Sequence, residues 1–398
     1  MIYDCAIVGG GASGILCAVE LLSGDNKLNG DKIVILEKND RIGKKLIATG
    51  NGQGNLSNAT LSRDNYHGDK SFIDAFLSKE KEIDTEKYFY NLGIPFLTDK
   101  DGKKYPVSKQ ASAVLDILKN ILDYNKVLIK TSFSVNKIEK EKGLFAVSDG
   151  KETILAKKLV ISCGGKSSPH FGTDGNGYYL LTAIGHKLTK LYPSIVQVKA
   201  DLKAIKGLSG LKEKAIVSAI VDGEKIKESK GDLLFTDYGL SGNTIFTLSS
   251  VLTDKENASV KIEFLPEFSE IEIEKIISDR LKNNGYIQKE DILCGIINKK
   301  IGKAVLSQVK DFSATNIAKA LKNFTVKITG TMGFNNAQTT KGGINTDDVN
   351  PFTMKSKLID GLYLTGEILN VDGDCGGYNL TFAFITGILA GKDVKNNL

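Results

Sequence analysis

The run AIVGGGASGILCAVELL, which begins at Ala6, sets three consecutive glycines between an apolar stretch and a helix-like stretch. No other feature constrains the fold as much, because a buried strand must turn sharply into a helix whose first turn is nearly free of side chains. Gly9, Gly11 and Gly14 satisfy the G-x-G-x-x-G spacing. In such a turn the first glycine permits the tight reversal, the second lets backbone approach a pyrophosphate, and the third lets the helix pack close to the sheet. The helix start then offers unpaired N–H groups and a positive dipole end to phosphate. The same run is apolar enough to pass for a secretory signal. The preceding MIYDC, however, carries an acid and no Lys or Arg, and the glycines interrupt the apolar core.

Which dinucleotide this is follows from the neighbouring segments. Glu37 ends the second apolar strand, KIVILEK, near the spacing of roughly 20 residues at which an acid bonds a ribose hydroxyl pair. Its carboxylate would repel a 2′-phosphate, which leaves NAD or FAD. LVISCGG at residues 159–165 is a strand ending in a small-residue turn, not a second fingerprint. Near the other end, TGEILNVDGDCGGYNLTFAF sets an acid-and-glycine loop directly before a last helix. Backbone amides at Gly377 to Leu380 are suited to the pyrimidine edge of a flavin, where they would stabilise the charge that develops on reduction. FAD accounts for both ends of the chain, and a plain NAD enzyme accounts for one.

Apolar strands alternate with helices over the first 190 or so residues, which predicts an α/β domain with a parallel sheet and right-handed crossovers. YDCAIVGG and KIVILEK read as strands, and SGILCAVELLSG reads as a helix ending at Gly24. Residues 127–158 read as a β-meander flap, from VLIKTSFSV through ETILAKKLVISC. An inserted module is expected over 193–335, β-rich to about 265 and helical over about 266–324, where IEIEKIISDRLKNN, KEDILCGIINKKIG and ATNIAKALKNF give three helices. The segment 336–398 then returns to the first domain, with GLYLTGE as a strand and YNLTFAFITGILAGK as a helix closing on glycine.

Composition argues against several functions. The net charge of +6 comes from 53 Lys and Arg against 47 Asp and Glu, dispersed along the chain, which is a solvated surface and not a nucleic-acid footprint. Five cysteines at 5, 17, 163, 294 and 375 give neither a disulfide framework nor a zinc spacing. The three histidines, 67, 170 and 186, show no ligand spacing, so no metal is expected. Without a long uncharged apolar stretch, the expectation is a soluble protein of the reducing cytoplasm.

Six stretches, EKNDRIGKKLIATGNGQGNLSN, YPVSKQASAVLDIL, CGGKSSPHFGTDGNGYYLLTAIGH, LLFTDYGLSGNTIFTLS, AQTTKGGINTDDVNPFTMKSKLIDGLYLTGEILNVDGDCGGYNL and the final TGILAGK, resemble the YhiN/BaiN-like flavoproteins in order and over nearly the whole chain. The resemblance implies a glutathione-reductase-like FAD-binding Rossmann domain with an inserted β-barrel-like part and a small helical part. It also implies non-covalent FAD contacts: Gly9, Gly11, Ser13 and Gly14 at the pyrophosphate, and Glu37 and Lys38 at the adenosine ribose. Lys45, Gly50, Asn55 and Asn58 would run along the flavin side. Val135 would meet the adenine, with Ser162 and Gly164 beside it. Gly366, Glu367, Asp372, Gly376, Gly377, Asn379 and Leu380 would close over the ribityl chain and ring. Two places depart from the family pattern. GGGRCNLTN becomes GNGQGNLSN, so an Arg-Cys pair is replaced by Gln53-Gly54, and FTHYGLSGPA becomes FTDYGLSGNT, with Asp237 and Asn243 in place of a histidine and a proline.

The expected function is an FAD-dependent oxidoreductase acting on a small organic substrate. It would either reduce a conjugated carbonyl compound, with NADH or NADPH as transient reductant, or oxidise a small amine. A flavoprotein acting on RNA and a non-catalytic FAD-binding or sensing protein are the alternatives. His170, Asp237 and Tyr238 are the candidate acid, base or cavity-lining groups, although His170 reads more readily as an exposed loop histidine. Cys375 beside the glycine loop reads as a small apolar neighbour of the ring.

Overall fold

The computed structural model describes residues 1–398. The chain divides into two compact units, one built from Met1–Tyr192 with Thr339–Leu398 and the other from Pro193–Gln338.

In the first unit Ile2–Val8 lies within a parallel sheet, because Cys5, Ala6, Ile7 and Val8 form an apolar run that both faces bury. Ile33–Leu36 pairs with it on one side and Thr153–Ile161 on the other. Thr153–Ile161 changes partner along its length. Its first residues pair antiparallel with Leu144–Ser148, and its last three pair parallel with Leu362–Leu364. The C-terminal segment therefore enters the same edge that carries the meander, which Lys137–Glu141 completes.

The flap expected to open at residue 127 needs correction. Leu128–Lys130 pairs in parallel with Ile33–Leu36, and the antiparallel part begins at Lys137. The helix Ala111–Tyr124 provides the crossover that a parallel return requires, and a strand of three residues carries too little alternation to announce its partner.

The C-terminal helix, Tyr378–Asn396, does not close at Gly391. Its glycines are an approach surface: a Cβ on Gly387 would lie 2.2 Å from the Ser13 carbonyl oxygen, and one on Gly391 would lie 2.8 Å from Glu20 Cβ. Two backbones thus meet where side chains would hold them apart, and the first helix, Ala12–Leu21, is buried almost all round between sheet and helix. It stops three residues short of Gly24. Its C-terminal end is capped by Lys395, whose Nζ donates to the carbonyls of Glu20 (3.1 Å) and Ser23 (2.9 Å) and pairs with Glu20 Oε1 at 2.8 Å. Tyr88 donates its hydroxyl to the other Glu20 oxygen at 2.9 Å.

The second unit contains a closed barrel of Val198–Ala200, Gly239–Ser241, Glu224–Phe235, Lys212–Val221, Ala258–Phe264 and Phe324–Thr331, in that order. Alternate residues Ala215, Val217 and Ala219, facing Val260 and Ile262, fill its interior. Helices Asn243–Leu252, Glu270–Asn283, Lys299–Leu306 and Ala314–Lys322 accompany it. The helix expected across KEDILCGIINKKIG is broken. Gly295 adopts φ +76°, and Asn298 caps a new start by accepting from Lys300 N–H at 3.0 Å. No helix is long and apolar enough to cross a membrane, and no group of three or more His, Cys, Asp or Glu is placed to hold a metal ion.

Candidate cofactor and active site

The glycine turn separates positions that must be bare to close the fold from one that faces open space. A Cβ on Gly9, at φ +107°, would lie 2.4 Å from Ser162 O, and one on Gly14 would lie 2.1 Å from Gly9 O. Those two glycines let strand, turn and helix touch. Gly11 is different, since a Cβ there meets no protein atom within 4 Å. It is the N-cap of the first helix and offers no side-chain cap, and Ile15 is the first amide with a helical partner (3.0 Å to Gly11 O). The amides of Ala12, Ser13 and Gly14 have no helical partner, and with the open space at Gly11 this helix start fits a pyrophosphate.

Glu37 stands beside this cradle with a buried carboxylate. One oxygen accepts from Gly10 N–H (2.8 Å) and the other from the Asn39 backbone and side-chain amides (2.8 and 2.7 Å). Oε2, which accepts only the Gly10 amide, keeps lone-pair capacity for a ribose hydroxyl. Lys38 is turned to an ion pair with Asp174 at 2.7 Å. Val135 is buried, and its carbonyl accepts from Asn176 Nδ2 (2.8 Å). The Ser162 hydroxyl lies 3.0 and 2.9 Å from the Val8 and Gly9 carbonyls, and Gly164 turns at φ +71°.

The rim continues through Gly366, whose Cβ would lie 2.8 Å from Ser13 Oγ, so this glycine brings the last parallel strand against the first helix. Next to it Glu367 accepts from Lys45 Nζ (2.8 Å) through one oxygen and from Thr340 N–H (2.9 Å) through the other. These groups lie at the carboxyl ends of the parallel strands, where open α/β sheets bind ligands.

A second open helix start lies at Gly377, which caps Tyr378–Asn396 at φ +98° without a side-chain bond. Thr381 is the first amide with a helical partner, leaving those of Tyr378, Asn379 and Leu380. The loop before it is tied to the Gly50–Asn58 segment. Asn58 Nδ2 donates to Gly376 O (2.9 Å), and the Asn55 amide accepts from Gly377 N–H (3.2 Å) while donating to Ser57 O (3.0 Å). Asn379 closes the loop on itself through Gly373 N–H and C=O, both at 2.8 Å. Asp372 is buried in the strand Val371–Gly373, opposite His67.

The candidate acid and base groups are divided between the two units. His170 is exposed on the turn Pro169–Phe171, and Phe171 O accepts from the same Asn39 that bonds Glu37, so it belongs to the Glu37 end of the rim. Asp237 and Tyr238 lie in the second unit, between Glu224–Phe235 and Gly239–Ser241, with Asp237 exposed. Asn243 begins a helix there, and its Oδ1 accepts from Asp232 N–H at 2.8 Å. Sequence reasoning missed two groups beside the glycine loop. His67 Nε2 lies 3.0 Å from Asp374 Oδ1. Tyr105 borders Gly50 and Cys375, and its phenol is pushed up by burial, then by Asp99 and Cys375. Burial also pushes up the Cys375 thiol. The only sequence signal for His67 was its place in a short β-prone run.

Fold and cradle together define a flavin-dependent oxidoreductase of the Rossmann type. The chain belongs to the HI0933-like Rossmann-domain family, whose model matches residues 3–393. It is 36% identical to the 3-dehydro-bile acid Δ(4,6)-reductase of Clostridium scindens over 97% of each chain. It is 28% identical to the ribosomal RNA dihydrouridine synthase of Haemophilus influenzae over 95% of each. Among solved structures it resembles the 3-ketosteroid-Δ4-(5α)-dehydrogenase of Rhodococcus jostii RHA1, at 14% identity and a TM-score of 0.52, covering 99% of this chain and 97% of that one. That likeness is one of fold.

Proposed function

We propose that this protein is an FAD-dependent reductase of a carbon–carbon double bond conjugated to a carbonyl, in a small organic substrate, with NADH or NADPH as the transient reductant. The observation that carries it is the pair of uncapped helix starts, Gly11 and Gly377, built into one unit through the close approach of Gly366 and Gly387 to Ser13. In this reading the amides of Ala12 to Gly14 hold the pyrophosphate, Glu37 takes the adenosine ribose, and the amides of Tyr378 to Leu380 meet the pyrimidine edge of the ring. Bound FAD supplies two-electron redox chemistry.

The names of both relatives describe reduction of a double bond conjugated to a carbonyl, one in a steroid acid and the other in a uracil ring. That common chemistry favours reduction over amine oxidation. The higher identity to the steroid-acid enzyme, 36% against 28%, favours a small substrate over RNA.

The test is anaerobic. Purified protein is titrated with NADH and NADPH while the oxidised-flavin band near about 450 nm is followed, and the reduced protein is then offered a 3-oxo-4,6-diene bile acid or unmodified ribosomal RNA. Bleaching followed by reoxidation with the diene supports the reading. Reoxidation by RNA alone moves the substrate to a uracil ring, and a protein that takes up no flavin refutes the proposal.

A further inference from the structure

Reduction of a conjugated carbonyl compound places a hydride on the β-carbon and a proton on the α-carbon, and the proton needs an acid. The side chains around the glycine loop that could act as acids include Tyr66, His67, Tyr105, Cys375 and Tyr378. Burial raises the phenols of Tyr66, Tyr105 and Tyr378 and the Cys375 thiol, so each is a weaker acid than usual. The Tyr66 hydroxyl is in addition spent on the Tyr378 carbonyl at 3.1 Å. Only an imidazole readily gives up and regains a proton near neutral pH.

His67 is placed for that task. Its strand, Tyr66–Gly68, pairs antiparallel with Val371–Gly373, and Asp374 N–H donates to Asn65 O at 2.9 Å, so the imidazole is carried on the same short ribbon as the loop. Asp374, whose side chain is 7% exposed, accepts from His67 Nε2 at 3.0 Å, whereas the His67 side chain is 23% exposed and its Nδ1 has no protein partner. A buried carboxylate fixing one ring nitrogen while the other has no protein partner is the arrangement that orients an imidazole for proton transfer.

We propose that His67 delivers the proton to the substrate α-carbon and that Asp374 is its positioning residue, an inference that rests on the reductase reading above. FAD held by Glu37 and the amides of Ala12 to Gly14 would supply the hydride, and a substrate so reduced at its β-carbon would be an enolate. Its electron pair takes the proton from His67 Nδ1 as the new C–H bond forms. The imidazole is left neutral and regains a proton from water.

The experiment uses FAD-loaded His67→Gln, His67→Ala and Asp374→Asn, with a 3-oxo-4,6-diene bile acid as probe. FAD affinity by fluorescence quenching, and bleaching by the preferred nicotinamide, are expected within about twofold of wild type. Reoxidation by the probe is expected to slow about 10²–10⁴-fold in both His67 variants, and added imidazole is expected to restore part of the rate in His67→Ala. Wild-type reoxidation in His67→Gln overturns the inference. Loss of FAD affinity in step with rate, without rescue by imidazole, also overturns it, by making His67 a structural residue. If wild-type reduced protein ignores the probe, the reductase reading fails and the donor role falls with it.

Discussion

Replacing Gly11 by alanine separates holding the cofactor from holding the fold. Its dihedral angles, φ −89° and ψ −169°, suit any residue, and the added methyl meets no protein atom within 4 Å. Alanine gains about 0.4–1 kcal/mol by restricting the unfolded chain, and it loses a few tenths or more because glycine is the better N-cap. Unfolding of the apoprotein in urea should therefore shift by less than about 1 kcal/mol. FAD binding should respond differently if the open space the methyl fills is where the pyrophosphate meets the helix start. Displacing one charge-assisted amide–phosphate bond costs about 1.5–3 kcal/mol, a loss of about 10- to 100-fold in affinity. Gly14→Ala is the contrast. Its Cβ would lie 2.1 Å from Gly9 O and 2.5 Å from Ser162 Oγ, so it should lose stability together with FAD. The assay pairs urea unfolding of the apoprotein with a flavin-fluorescence titration. Wild-type FAD affinity in Gly11→Ala would refute the placement of the pyrophosphate. A stability loss beyond about 2 kcal/mol would refute the open space in front of Gly11.

Other substitutions test the supports of the site. Lys395→Met leaves Glu20 buried without its ion-pair partner and should destabilise by about 3–5 kcal/mol in urea unfolding, with most of the loss recovered when Glu20→Gln is added. Gly387→Ala drives a methyl to 2.2 Å from Ser13 O. It should cost about 1–3 kcal/mol by overpacking and lower FAD affinity too, because Ser13 belongs to the cradle. His186 is buried with Nε2 2.9 Å from Ser356 Oγ and no partner for Nδ1, and burial lowers its pKa. The fold therefore prefers the neutral ring, and its contribution is complete above the unfolded value of about 6.5 and lost as pH falls below it. Melting temperatures between about pH 7.5 and 5 should fall less in His186→Gln than in wild type.

What could be read from the sequence divides by the distance over which contacts are made. The strand, glycine turn and first helix are one contiguous pattern, so their geometry was accessible from local rules. Gly391 looked like a helix stop because a packing glycine and a C-cap glycine differ only in what lies opposite, and here that is the helix at the other end of the chain. The same holds for the polar pairs of the site: Lys45 and Glu367 are 322 residues apart, and His67 and Asp374 are 307 apart. Open helix starts are announced by glycines in a row, whereas an imidazole held by a carboxylate exists only once two strands have met.

This division bears on the departures from the family pattern. Gln53 is exposed, but Gly54 is buried at φ +75°, and a Cβ there would lie 3.2 Å from the Cα of Ala111, the first residue of the helix Ala111–Tyr124. A cysteine at 54 would need both a strained backbone and a shift of that helix, so this turn is built around glycine. Restoring the family residues by Gln53→Arg with Gly54→Cys should therefore lower stability, by about 1–3 kcal/mol in urea, before it changes any chemistry. A double variant as stable as wild type would show that the turn still accepts the family side chains, and its rates could then be compared directly with those of the native turn.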